Sequence, residues 1–184
     1  MKKIFFLTFF SILFFATSNA YADCDIGPIA QGYLNDVYAY VNFGFAKPSL
    51  EISNAPLVKI TGEKKNEYGK VLNSKGFMAS TLNYDTNKIV IYSHIFDGHA
   101  SCDDFVTQKL KKLVVHEYTH NLDQYNQLSK VAHTKNMETT AIIGENILPK
   151  MAWGKRNPMV LRQLTKDEKK KANKMRRFVF KYKN

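Results

Sequence analysis

Five consecutive residues, His116-Glu117-Tyr118-Thr119-His120, combine the side chains and the spacing that a hydrolytic metal needs. Residues four apart on a helix are stacked neighbours, so both imidazoles can reach one zinc ion at about 2.0 to 2.1 Å. Glu117 stands next to that pair. Zinc lowers the pKa of water from about 15.7 to about 7, and a carboxylate within hydrogen-bond reach then takes the proton. The chemistry implied is hydrolysis of a carbonyl bond, with Glu117 as general base.

Two histidines leave such a site unfinished. A third protein ligand is needed, and a fourth position stays open for water or substrate. The compact pattern His-Glu-x-x-His-x-x-Gly-x-x-His is disfavoured, because Asp123 stands at its glycine and Asn126 at its last histidine. After a break near Ser129, Lys135 to Leu148 reads as a second helix with Glu138, Ala141, Ile142 and Glu145 sharing one side. Both glutamates are within reach, and Glu138 is favoured over Glu145.

With these residues in place the chain resembles the gluzincin group of zinc metallopeptidases, in a minimal secreted version. In that group a Glu on the helix after the His-Glu-x-x-His helix completes the site, often within Glu-x-x-Ala, which matches Glu138-Thr139-Thr140-Ala141. The resemblance covers Phe77 to Leu148. It implies an α+β, zincin-like fold: a short sheet or hairpin, then the motif helix, then a glutamate-bearing helix. It also implies Zn2+ held by His116, His120 and Glu138, and peptide or protein substrates.

The elements that must position these groups are legible. Ser101 or Asp103 can cap a helix that continues to Leu128, since neither Pro nor Gly occurs from Asp103 to Leu128. Val106, Leu110 and Leu113 follow helical spacing and lead into Glu117 and His120, so the motif continues a buried stripe. Upstream, Phe77 to Leu82 and Lys88 to Ser93 are β-prone runs separated by Asn83-Tyr84-Asp85-Thr86-Asn87, which predicts a hairpin. In gluzincin-like folds the strand before the site helix is a sheet edge to which an extended peptide can add, and Ile89 to Tyr92 is the candidate. Pro28 to Phe43 is expected to be a helix presenting Ile29, Tyr33, Val37, Tyr40 and Val41. Pro56 to Ile60 reads as a short strand and Gly62 to Gly76 as a loop. No residue is assigned to stabilise an oxyanion, although His94, His133, Tyr92 and Tyr125 are available and His99 is expected to be exposed.

Three stretches of the chain follow different rules. Lys2 and Lys3, the apolar run Ile4 to Ala16 and Ala20-Tyr21-Ala22 have the form of a secretory signal peptide, residues 1–22, cleaved near Ala22. Asp23 disfavours lipid attachment at Cys24. Residues 23–149 suffice for one zincin-like domain. An exported chain with two cysteines is expected to pair Cys24 with Cys102.

The formal net charge of +11 is unevenly placed, since Asp23 to Pro149 carries 12 Lys and Arg against 14 Asp and Glu. Residues 150–184 form a basic C-terminal segment with 13 basic and 2 acidic residues. Pro149 and Trp153 are expected to mark the turn into it. Lys166 to Lys183 suits an anionic envelope surface, with a solvated basic helix ending in a strand or loose tail as the plainer expectation. Nucleic acid is not expected, because no binding motif is present. A secreted or periplasmic zinc peptidase is therefore the leading expectation. The alternatives are a zinc-binding adaptor or envelope-binding protein acting through the basic segment, and a structural protein without metal.

Overall fold

Capping and apolar spacing decide where the helices begin. A computed structural model describes residues 24–53, 79–82, 87–96, 99, 101–126, 128–154, 159 and 161–182. Helix α1 spans Ile26–Tyr40, and the Asp25 carboxylate accepts from the Gly27 N–H at its start. Ile26, Ala30, Leu34 and Val37 are its buried residues, at intervals of four, four and three. The buried stripe therefore differs from the expected one. Ile29, Tyr33 and Tyr40 flank it half-buried, because the purely aliphatic face turns inward and the tyrosines keep their polar ends near the surface.

Helix α2, Asp104–Asn126, carries the motif. Asp103 rather than Ser101 caps it, through a 2.8 Å bond from the Val106 N–H to Oδ1. The chain then breaks for the short helix α3, Leu128–Ala132, whose Ser129 N–H is taken by Asp123 Oδ1 at 2.6 Å. Helix α4, Met137–Ala152, opens on Asn136, whose Oδ1 accepts from the Thr139 N–H at 2.8 Å. Pro149 lies inside α4 instead of marking its exit, and the helix ends at Trp153. Proline is tolerated in the final turn, where it forfeits one hydrogen bond, that to the Glu145 carbonyl.

The sheet is three-stranded in the order β1-β3-β2, with β1 Ser49–Ser53, β2 Ala79–Leu82 and β3 Lys88–Tyr92. The expected hairpin is present, as β2 and β3 pair antiparallel with Leu82 opposite Lys88. The expected sheet edge is not at Ile89 to Tyr92. β3 is the central strand, because β1 adds to its other side in parallel, Leu50 opposite Ile89 and Ile52 opposite Ile91. Its backbone hydrogen bonds are committed on both sides, and Ile89, Val90 and Ile91 are buried. Among the described residues the exposed edges belong to β1 and β2. The strand expected at Pro56 to Ile60 and the loop Gly62 to Gly76 lie outside the described residues, as do residues 1–22.

The basic segment is not a loose tail. Lys166–Tyr182 form helix α5, with Met175 and Val179 fully buried and Phe178 packed on Phe43. The core therefore draws on α1, β3, α2, α4 and α5 together. Because α5 is helical to Tyr182, Phe178 and Tyr182, four apart, share a face and their rings meet at 4.8 Å, whereas Phe180 turns away; Phe178 is partly buried and Phe180 and Tyr182 are exposed. The fold class is α+β, mostly helical. Cys24 and Cys102 are joined by a disulfide that closes 78 residues and ties the start of α1 to the approach to α2. No described helix is long and apolar enough to cross a membrane.

Candidate metal centre

The motif helix is locked in rotation by the residues between its histidines. Tyr118, 1% exposed, donates its hydroxyl to the Val41 carbonyl, and burial raises its pKa above the ordinary phenol value. Thr119 is fully buried and bonds back to the Val115 carbonyl at 2.8 Å. Just beyond His120, Asn121 Nδ2 donates to Asn87 Oδ1 at 2.7 Å, fixing the helix to the residue that leads into β3. With Tyr118 facing inward, His116 and His120 face α4.

Helix α4 approaches unusually closely at Gly144. A Cβ there would lie 2.1 Å from Thr119 Oγ1 and 2.8 Å from Thr119 Cβ, which no side chain can occupy. The expected small residue, Ala141, is buried at the same interface, but Gly144 is the residue the contact depends on. This closeness brings the three proposed ligands together. His116 Nε2 lies 3.2 Å from His120 Nε2, Glu138 Oε2 lies 3.3 Å from His116 Nε2, and Glu138 Oε1 lies 3.3 Å from His120 Nε2.

The donor set fits zinc. Tetrahedral ligands at about 2.0 to 2.1 Å from an ion are separated from one another by roughly 3.3 Å. The spacings here are of that order, although each Glu138 oxygen faces a different imidazole, and His116, His120 and Glu138 form a cluster able to hold one ion. The two histidine side chains are 18% and 11% exposed, whereas that of Glu138 is 70% exposed. The cluster is therefore walled by protein on the imidazole side and open to water beside Glu138.

The second glutamate takes a different place. Glu145 is 4% exposed and its Oε1 lies 2.6 Å from His116 Nδ1, on the far side of the ring from the cluster. Such a bond fixes the ring's orientation and directs Nε2 toward His120 and Glu138, where an ion would be held. Lys112 Nζ, 3.5 Å from Glu145 Oε2, offsets part of the buried charge. The sequence left Glu138 and Glu145 as alternatives for one role, the third ligand; in the structure Glu138 faces both imidazoles at the cluster and Glu145 the outer nitrogen of His116. Gly144 and Lys112 were missed. The small-residue pair Ala141 and Gly144, three apart, was the signal for Gly144, and the four-residue spacing of Lys112 and His116 was the signal for Lys112.

Electrostatics follow from this crowding. Burial alone would lower the His116 pKa, but hydrogen bonds with Glu138 and Glu145 and the nearby Glu117 charge outweigh it and raise the pKa to about 10. His116 and His120 together hold the Glu138 carboxyl far below the usual range. Glu117, 6% exposed, is close enough for its charge to act on His116. Among the residues considered for an oxyanion, His133 is exposed in a left-handed turn at φ 54° and Tyr92 is half-buried at the end of β3. The side chains of His94 and Tyr125 lie outside the described residues. His99 is one-third exposed, stacked on Phe105 with Nδ1 3.4 Å from Asp103.

Comparison with family models, with curated proteins and with solved structures finds no match, so the functional argument rests on the side chains themselves.

Proposed function

We propose that this chain is an exported zinc-dependent peptidase of the gluzincin kind, with a minimal zincin-like domain. The observation that carries the reading is the triangle of His116 Nε2, His120 Nε2 and the Glu138 carboxylate, with edges of 3.2 to 3.3 Å, beside the buried Glu117. His116, His120 and Glu138 would hold the ion, which supplies a Lewis acid that polarises a scissile carbonyl and acidifies a water. Glu117 takes that water's proton and returns it to the leaving amine. Glu145 keeps His116 aimed, and the open side at Glu138 admits a peptide. The disulfide supports export, because such bonds persist in oxidising compartments.

The test uses the disulfide-bonded chain loaded with zinc and a mixture of unstructured peptides. Glu117→Gln is expected to keep one equivalent of zinc by elemental analysis while cleavage falls by at least about a hundredfold. Unaltered cleavage by the variant sinks the peptidase reading. A chain that binds zinc with no Glu117-dependent cleavage of any peptide is the non-catalytic adaptor instead. A chain that takes up no zinc is neither.

A further inference from the structure

The C-terminal half of α4, Met159, the residues Leu161 to Leu164 and α5 border an open groove of about 840 Å³. That volume falls within the range of small-molecule sites. Asn146, the first α4 residue on its wall, directly follows Glu145, but none of His116, His120, Glu138 and Glu145 lines the groove, so its lining residues are distinct from those of the metal centre.

The groove's walls have two chemistries. Ile147, Met151, Leu161, Leu164 and Ala172 supply apolar surface, while Lys150, Arg162, Lys169 and Arg176 supply positive charge, and no carboxylate lines it. The cations are not equivalent. Arg162 is paired with Glu168 through two bonds of 3.0 and 2.5 Å. Lys150, Lys169 and Arg176 are exposed and have no carboxylate partner among the described residues. Lys169 and Arg176 lie seven apart on α5 and so share the face that carries Ala172 and Asn173 between them.

Charge complementarity selects an anion for this groove, and the rest of the wall narrows the choice. A small inorganic anion would leave the apolar surface in water. A peptide would bring backbone N–H and C=O groups against a wall whose uncharged polar side chains are only Asn146, Gln163 and Asn173. A hydrocarbon chain asks for no such partners, and methionines adapt to its shape. We propose that the groove binds a single-chain anionic amphiphile, with its acyl chain against Ile147, Met151, Leu161 and Leu164 and its headgroup on Lys150, Lys169 and Arg176. This site does not depend on the peptidase reading, since none of its residues belongs to the metal centre.

Titration calorimetry on the full, disulfide-bonded chain tests it, with palmitate kept below its micelle concentration. Palmitate is expected to saturate one site, with the zwitterionic lysophosphatidylcholine at least about tenfold weaker. Lys169→Glu with Arg176→Glu, both at exposed positions, is expected to weaken palmitate by at least about tenfold and leave zinc uptake unchanged. Met151→Trp, which fills the apolar wall, is expected to remove binding. Palmitate affinity unaffected by the charge reversals overturns the proposal. Saturation by inorganic phosphate or hexaglutamate as tight as by palmitate also overturns it, by making the groove an anion or acidic-peptide site. Retention on anionic vesicles without palmitate uptake would assign the cations to a membrane surface.

Discussion

The two halves of α4 show how one helix can serve opposite purposes. The stretch from Glu138 to Glu145 presses against α2 so tightly that Gly144 has no room for a methyl group, and it brings two carboxylates to an imidazole pair. The stretch from Asn146 to Met151 buries Leu148 in the core and turns Asn146, Lys150 and Met151 toward a groove shared with α5, lined with cations and aliphatic groups and no carboxylate. Close approach suits a small, highly charged ion that must be gripped from several directions. An open groove suits a larger guest. Tight packing at Gly144 and a groove beside Lys150 thus fit the two stretches for different guests.

The largest expected effect is on the side of the metal centre, where the staple is. Chain-entropy reasoning gives about 4 to 5 kcal/mol at most for closing a loop of 78 residues. Reduction is expected to add two hydrogens by intact mass and lower the urea midpoint. An unchanged midpoint would mean that the fastening of α2 does not limit stability. Next comes the contact between helices. Gly144→Ala is expected to cost about 1 to 3 kcal/mol by overpacking and to weaken zinc binding, whereas Lys150→Ala at an exposed position of α4 should cost under about 0.5 kcal/mol. Equal losses from the two changes would erase the contrast between the halves.

A third test separates gripping from orienting. Glu145→Gln is expected to lower zinc affinity about 10- to 100-fold, with stoichiometry intact, and Lys150→Gln one turn on should leave it unchanged. Loss of stoichiometric binding in Glu145→Gln would make Glu145 a ligand. The smallest effect concerns the groove. The Arg162 guanidinium, with the Thr165 N–H, holds the Glu168 carboxyl at about 2. Its folded value lies below its unfolded one, so its stabilisation is present above the ordinary carboxylate pKa near 4.5 and is lost as pH falls toward 2. For a surface pair it amounts to no more than about 1 kcal/mol. Carbon NMR titration of Glu168 should show the value moving back up in Arg162→Gln, and a value still near 2 would assign the shift to Thr165.

Local signals made much of this legible. Asp103, Asn136 and the spacing of Val106, Leu110 and Leu113 suffice to place α2 and the start of α4, because caps and periodicity act within a few residues. The position of β1 was not legible. Parallel pairing is joined by a long connection, and nothing near Ser49–Ser53 encodes Lys88 as its partner, so β3 read as an edge. Glu138 and Glu145 share one face of α4, so spacing alone could not tell them apart; only the distance between the helices separates the cluster from the outer partner. In α5 the lysines drew attention from Ala172, Met175 and Val179, whose intervals of three and four already spelled a face bound for the core.

Tyr118 has a consequence of its own. Its hydroxyl ties the middle of the five-residue motif to the carbonyl that follows α1, so α2 cannot roll about its long axis without tearing a buried bond. A roll of α2 would swing both imidazoles away from Glu138 together, because residues four apart share one face of a helix and move as a pair. The aim of the histidines is thus governed from the opposite wall of the helix, by a residue that never faces them.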